Sequence, residues 1–155
     1  MKAQIWSFDF AISFLIFFLI LVPTLFLFNY IIEQEISQRS LDEIETKALA
    51  ISDSIVRTAG NPADWNATTV RSIGLAQQEN ILNITKVEYF MGMNYDTVKA
   101  VMTDGYDFNL TIKDLNGTVY GTVGTNPVNK TTVPVQRYAK YGDRVVSVML
   151  KLYSY

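Results

Sequence analysis

The chain contains no cysteine and no histidine. Those two absences exclude disulfides, thiol nucleophiles, Cys/His zinc sites, Ser-His-Asp triads and imidazole acid–base catalysis. A metal site would need all-oxygen ligands. No Gly-rich phosphate loop, G-x-S-x-G elbow or H-E-x-x-H occurs. The net charge of −2 gives no basic footprint for nucleic acid. At 155 residues there is room for one domain and not two.

The composition is segregated rather than even. Seven of the nine Phe lie in the first 28 positions, and eight of the nine Tyr lie after position 32. From Phe10 to Ile32 there are 23 residues with no formal charge. As a helix this run spans roughly 35 Å, enough to cross a bilayer with some tilt. A secretory h-region has only about 7–15 residues. No small-x-small cleavage site follows the run, which passes through Asn29-Tyr30-Ile31-Ile32 into Glu33. The reading is a retained transmembrane helix, because a buried core helix seldom lacks a polar face. Pro23 sits inside it and removes one backbone hydrogen bond.

Lys and Arg are too evenly placed for the positive-inside rule to orient the helix. Sequons do better. Asn66, Asn83, Asn109, Asn116 and Asn129 each open an N-x-Thr triplet without Pro. Ten Asn in a chain with about 15% Ser plus Thr should give roughly one or two matches by chance. Five beyond the membrane run favour a glycosylated outer face, with the N-terminus cytoplasmic and the C-terminal domain extracellular. Asp9, between Phe8 and Phe10, is costly at the membrane edge unless it is paired or reaches headgroup water. A free N-terminal amine of another molecule is one candidate partner.

Beyond the membrane, Leu41, Ile44, Ala48, Ile51 and Ile55 recur at steps of 3, 4, 3 and 4, a narrow apolar helical stripe. Leu49, Ile51 and Ile55 suit lateral contacts or, more simply, packing under a sheet. Ser40-Leu-Asp-Glu43 reads either as a capping box or as a polar stretch of one continuous helix, and the absence of Gly and Pro over 30–40 favours continuity. The helix is expected to end near Thr58, with Gly60 as a left-handed cap and Pro62 as a block. Trp65 is expected to pack against it. Short helices are expected around Val70–Ala76 (broken at Gly74), Ile81–Met91 and Tyr95–Met102. From Tyr106 the period becomes two. Strands are expected at 106–112, 118–123, 132–141 and 144–153, with Pro134 arguing for an edge position. Asp104, Asp107 and Asp114 near Asn116 lack the spacing of an EF-hand loop and fit surface turns. No catalytic residue, cofactor or metal site is expected, and the chain does not read as an enzyme.

The N-terminal text Lys2-Ala3-Gln4-Ile5-Trp6-Ser7-Phe8-Asp9-Phe10, followed by an unbroken apolar run, resembles the class III signal of archaeal type IV pilin-like proteins. Thr58-Ala-Gly-Asn-Pro-Ala-Asp-Trp65, Ile73-Gly-Leu-Ala76, Ile81-Leu-Asn with Lys86, and an apolar final strand are similar to that family's ectodomains. The resemblance covers most of the chain and is most specific in the N-terminal third. It implies a prepilin peptidase cut in the region Lys2, Ala3, Gln4. The bond is Ala3–Gln4, or the one after Gln4, which would place Asp9 fifth as in the family. Ala3 stands where the family usually has Gly. The resemblance further implies a leader at 1–3, a membrane and stalk helix at 4–58 and a head at 59–155.

The expected fold is α+β: a long N-terminal hydrophobic helix packed on a small four-stranded antiparallel sheet, type IV pilin-like. The implied function is a major or minor subunit of a cell-surface filament. Its partners would be the membrane, other pilin-like subunits met through the N-terminal helix, the prepilin peptidase and the assembly machinery, with Asp9 acting in assembly. The competing expectation is a permanently anchored ectodomain that binds other envelope proteins without polymerising.

Overall fold

The computed structural model describes residues 2–153, without the side chains of 2–7 and 36–40. It is α+β. The chain divides into two units, Met1–Leu41 and Asp42–Tyr155.

The first unit is part of one helix, α1 (Lys2–Arg57), which is continuous through residues 30–40. Ser40 therefore starts no new helix. Leu, Ile and Phe dominate the run, and Pro23 is the only proline within the helix. Pro23 has no N–H to offer the carbonyl one turn back. Next to it, the Thr24 hydroxyl donates to the Ile20 carbonyl at 2.7 Å. Phe10, Phe14 and Phe18 form an i, i+4 ladder, with ring centroids 6.0 and 4.7 Å apart. Phe8–Glu35 is long and apolar enough to cross a membrane. No apolar side chain of this stretch is buried in the structure, so the apolar surface is presented on every side.

In the second unit the 42–57 part of α1 is amphipathic. Ile44, Ala48, Ile55 and Val56 are buried, and Ser52 is buried with its hydroxyl donating to the Leu49 carbonyl at 2.8 Å. The expected stripe is thus shifted: Ile51 is half-buried, and Leu49 is 41% exposed. A period of 3.6 carries a 3-4-3-4 stripe slowly around the helix, which brings Ser52 and Val56 under cover.

The last turn of α1 is closed by the backbone around β1. Thr58 N–H bonds the Ser54 carbonyl at 3.0 Å. Leu75, Asn80 and Ala76 then donate to the carbonyls of Ile55, Val56 and Thr58 at 2.9, 2.8 and 3.0 Å. These are the carbonyls that a helix end leaves without partners. The short helix expected over Val70–Ala76 is therefore absent, because its amides serve α1 instead. Gly74 makes the approach possible: a Cβ there would lie 2.4 Å from the Thr58 carbonyl oxygen. Gly60 is left-handed at φ +80, but it lies three residues beyond Arg57 and is not the cap. Its missing side chain makes room for the Trp65 ring, since a Cβ would meet the indole nitrogen at 2.6 Å.

Trp65 is buried, and its indole N–H is shared between the Ala59 and Gly74 carbonyls at 3.0 and 2.9 Å. A bridge joins Asn61 to Ser72, and the Asn61–Pro62 peptide is cis.

Two short strands follow, β1 (Ala76–Gln78) and β2 (Ile81–Leu82). Helix α2 (Ile84–Met91) starts at Asn83, whose side chain caps the Lys86 amide. Helix α3 (Tyr95–Met102) starts likewise at Asn94, capping Asp96. Strands β3 (Asp107–Asp114), β4 (Val119–Gly124), β5 (Thr132–Tyr141) and β6 (Arg144–Tyr153) complete the chain.

The four expected strands are present, but the sheet has six, in the order β1-β2-β5-β6-β3-β4. It is mixed rather than antiparallel, because β2 runs parallel to β5 through Ile81↔Lys140 and Leu82↔Tyr141. Two-residue strands carry no readable alternation, so their period is invisible in sequence. β5 is accordingly not an edge strand. Pro134 lies well before the stretch that pairs with β2, where only β6 flanks it, so its missing N–H costs no ladder bond.

One sheet face is the core face. Phe108, Leu110 and Ile112 of β3 sit beside Leu152, Leu150 and Val148 of β6, all at most 2% exposed. They join Ile44, Ala48 and Ile55 of α1, Val87 and Phe90 of α2 and Val98 of α3 in one cluster. Each fully buried Leu, Ile or Phe contributes about 1.5–3 kcal/mol.

Candidate assembly helix and modification sites

The sequence marked two kinds of site: the N-terminal text for processing and assembly, and five sequons. Lys2, Ala3 and Gln4 lie within the backbone span of α1, but their side chains fall outside the described residues. Asp9 is exposed on α1, between Phe8 at 70% and Phe10 at 72% exposure. A carboxylate in such apolar company costs free energy in lipid unless a cation or water reaches it.

The sequons divide by environment. Asn66, Asn116 and Asn129 are exposed and belong to loops. The Asn66 carbonyl oxygen accepts from the Thr68 amide at 3.0 Å and the Thr68 hydroxyl at 2.8 Å, which leaves its amide nitrogen outward. Asn116 opens the β3–β4 turn, its backbone N–H held by the Asp114 carboxylate at 2.9 Å. Asn83 is half-buried and already used as the α2 cap. Asn109 is 6% exposed in the middle of the β3 ladder. Its amide nitrogen donates to the Asn126 side chain at 3.3 Å, and its oxygen accepts from Thr111 at 3.2 Å. A sugar on Asn109 would have to break this arrangement. The triplet pattern does not distinguish a strand interior from a loop, so sequence gave all five equal standing.

The acidic residues weighed for calcium are spoken for. Asp104 is in an ion pair with Lys47 at 3.5 Å. Asp114 accepts from the Asn116 and Thr118 amides, both at 2.9 Å, and so shapes its turn. Asp107 is buried and takes Lys99 at 2.5 Å, Tyr95 at 2.7 Å and Lys130 at 3.3 Å. Burial pushes this carboxyl up, but the hydrogen bonds from Lys99, Tyr95 and Lys130 outweigh it and hold the group below the ordinary carboxylate range. Burial, and then the bond to Asp107, push the Tyr95 phenol up. Nearby, the Tyr153 hydroxyl donates to the Thr125 carbonyl at 2.7 Å, and Lys130 sits 5.2 Å from the Tyr153 ring centre. This network pins the β4–β5 loop onto the start of β3. Sequence reasoning missed it because its members come from four separate segments.

One more cation is placed by the fold. Lys86 is 7% exposed and donates to the Ala59 carbonyl at 2.5 Å, just past the C-terminus of α1. Burial lowers its pKa, with Asp64 acting in the opposite direction. An ammonium here adds to the amides of Leu75, Ala76 and Asn80 that satisfy the helix end.

Among the described residues no group of three or more acidic side chains is placed to hold a metal ion. No protein-family model, no curated protein and no solved structure matches the chain.

Proposed function

We propose that this chain is a type IV pilin-like subunit of an archaeal cell-surface filament, either the major subunit or a minor one, processed by a prepilin peptidase and assembled through its N-terminal helix. The observation that carries the reading is α1. It is apolar on all sides over Phe8–Glu35, amphipathic over 42–57, and unbroken between the two. A helix apolar all round suits two successive surroundings, lipid before assembly and copies of itself afterwards. In the second, Asp9 can pair with the freed amine of a neighbour, where the low dielectric makes a paired charge far cheaper than a lone one. The Asp42–Tyr155 unit forms the coat, and sugars on its exposed sequons shield it.

Intact-mass and N-terminal peptide analysis of sheared and membrane fractions from native cells tests the reading. A chain beginning at Gln4 or Ile5 in the sheared fraction is the expected result. A chain beginning at Met1 and confined to membranes would replace the filament subunit with an anchored ectodomain that binds other envelope proteins.

A further inference from the structure

The sheet of the head has a face that no helix covers. Arg137 points from the core face of β5 to Asp53 of α1 at 2.9 Å, so α1 lies on the core side. The neighbouring residues of β5, Gln136 and Tyr138, point the other way, where Gln136 bonds Ser147 of β6 at 2.8 Å. On this outer face Tyr138 is 57% and Val145 51% exposed, and Met149 is half-buried.

Three lysines frame that apolar strip. Lys140 pairs in register with Val145, Lys113 with Ser147, and Lys151 lies one alternation beyond Met149. None of the three has an ion-pair partner among the described residues. Asp107 is on the same face but is already held by Lys99 and Lys130.

One flank of α1 carries the opposite pattern. Asp42, Glu45, Leu49 and Asp53 fall at i, i+3, i+7 and i+11, one stripe of a helix. Leu49 is 41% exposed. Asp42 and Glu45 are exposed and likewise have no ion-pair partner among the described residues.

We propose that these two surfaces bind each other between copies: the lysine-framed outer sheet face of one head docks on the Asp42–Glu45–Leu49 stripe of the next. Charge complementarity selects the occupant, because each surface has unpaired charges of one sign around an exposed apolar centre. The two surfaces are different patches, on opposite sides of the sheet, so the contact is heterologous. Repeated, it gives an open row of heads rather than a closed dimer. The proposal deepens the filament reading and rests on it for bringing many copies side by side.

The test is zero-length carbodiimide cross-linking of sheared material from cells, with the cross-linked peptides identified by mass spectrometry. The expected product joins Lys140 or Lys151 to Asp42 or Glu45. Within one copy these groups are on opposite sides of the sheet, so the product reports two copies. The double variant Lys140→Glu, Lys151→Glu should lower its yield at least tenfold. The fourfold variant that adds Asp42→Lys and Glu45→Lys should restore cross-linking, with the roles of amine and acid exchanged. This restoration also shows that the reversed surfaces still fold.

Sheared chains that lack the cross-link, or that keep it in the double variant, would overturn the docking while leaving the filament reading standing. Cross-links from these lysines to a different envelope protein would overturn it in favour of a foreign partner. Absence of the chain from the sheared fraction would overturn the filament reading and the docking with it.

Discussion

Replacing Asp107 with Asn should destabilise the head strongly and remove one source of its pH dependence. The carboxylate is 7% exposed, and the Lys99 and Lys130 side chains that face it are 22% and 25% exposed. Asn keeps the shape but removes the charge that two ammonium groups share. Breaking a buried pair by removing one partner costs about 3–5 kcal/mol. Partial exposure of the lysines lets water compensate for some of this, so about 2–4 kcal/mol is expected. For a unit of this size that is a fall in Tm of roughly 8–16 °C.

The pH dependence follows from the sign of the shift. The folded carboxyl lies below its ordinary value, so its stabilising contribution is present in full above the unfolded pKa of about 4 and is lost as pH falls through the folded value. The assay is thermal unfolding of the full chain in detergent, followed by near-ultraviolet circular dichroism from pH 7 down to pH 3. The wild type should lose more Tm over that range than Asp107→Asn, so the two curves should draw together toward the acid end. A variant that melts within 2 °C of wild type at pH 7, or parallel curves throughout, would refute the reasoning.

Four further outcomes are expected. Gly74→Ala should cost about 1–3 kcal/mol or more by forcing a Cβ against the Thr58 carbonyl, whereas Gly92→Ala, whose nearest atom would be at 3.6 Å, should stay within about 0.5 kcal/mol in denaturant titrations. Glycopeptide mass spectrometry should find sugar on Asn66, Asn116 and Asn129 and none on Asn109, and full occupancy of Asn109 would contradict the strand placement. Asp9→Ala should reduce incorporation into sheared filaments while leaving membrane insertion intact, as read by fractionation; unchanged incorporation would end the amine-pairing idea. Substituting a bulky residue for Ala3 should block processing, and normal maturation would place the cut elsewhere.

The parts of the fold that sequence disclosed are those with a long, regular period. The apolar run, the helical stripe from Ile44 to Ile55 and the alternation in β3 and β6 each bury one face of an extended element, so the pattern repeats often enough to read. The misses are short or non-local. Ile81–Leu82 has too few residues to show a period, and it is a strand only because β5 lies alongside. Val70, Ile73 and Ala76 fit a helix by spacing, yet the amides of Leu75 and Ala76 are drawn to the end of α1. The same holds for sites. Exposed sequons were found by a triplet rule, whereas Asn109 needed the sheet to reveal its burial. The Asp107 network draws on α3, β3, the β4–β5 loop and, through Tyr153, β6, which meet only after folding.

The way α1 ends has a mechanical consequence. A helix tied to a domain by a single covalent link would let the domain swivel about that link. Here tension along the last turn of α1 is divided among three backbone bonds, from Leu75, Asn80 and Ala76, and reaches the sheet through β1 and β2 before the covalent path through residues 58–75 is stretched. The indole of Trp65 fastens the two ends of that slack segment, Ala59 and Gly74, to each other. Residue 58 is therefore a clamp and not a pivot. A pull on the helix loads the whole sheet at once.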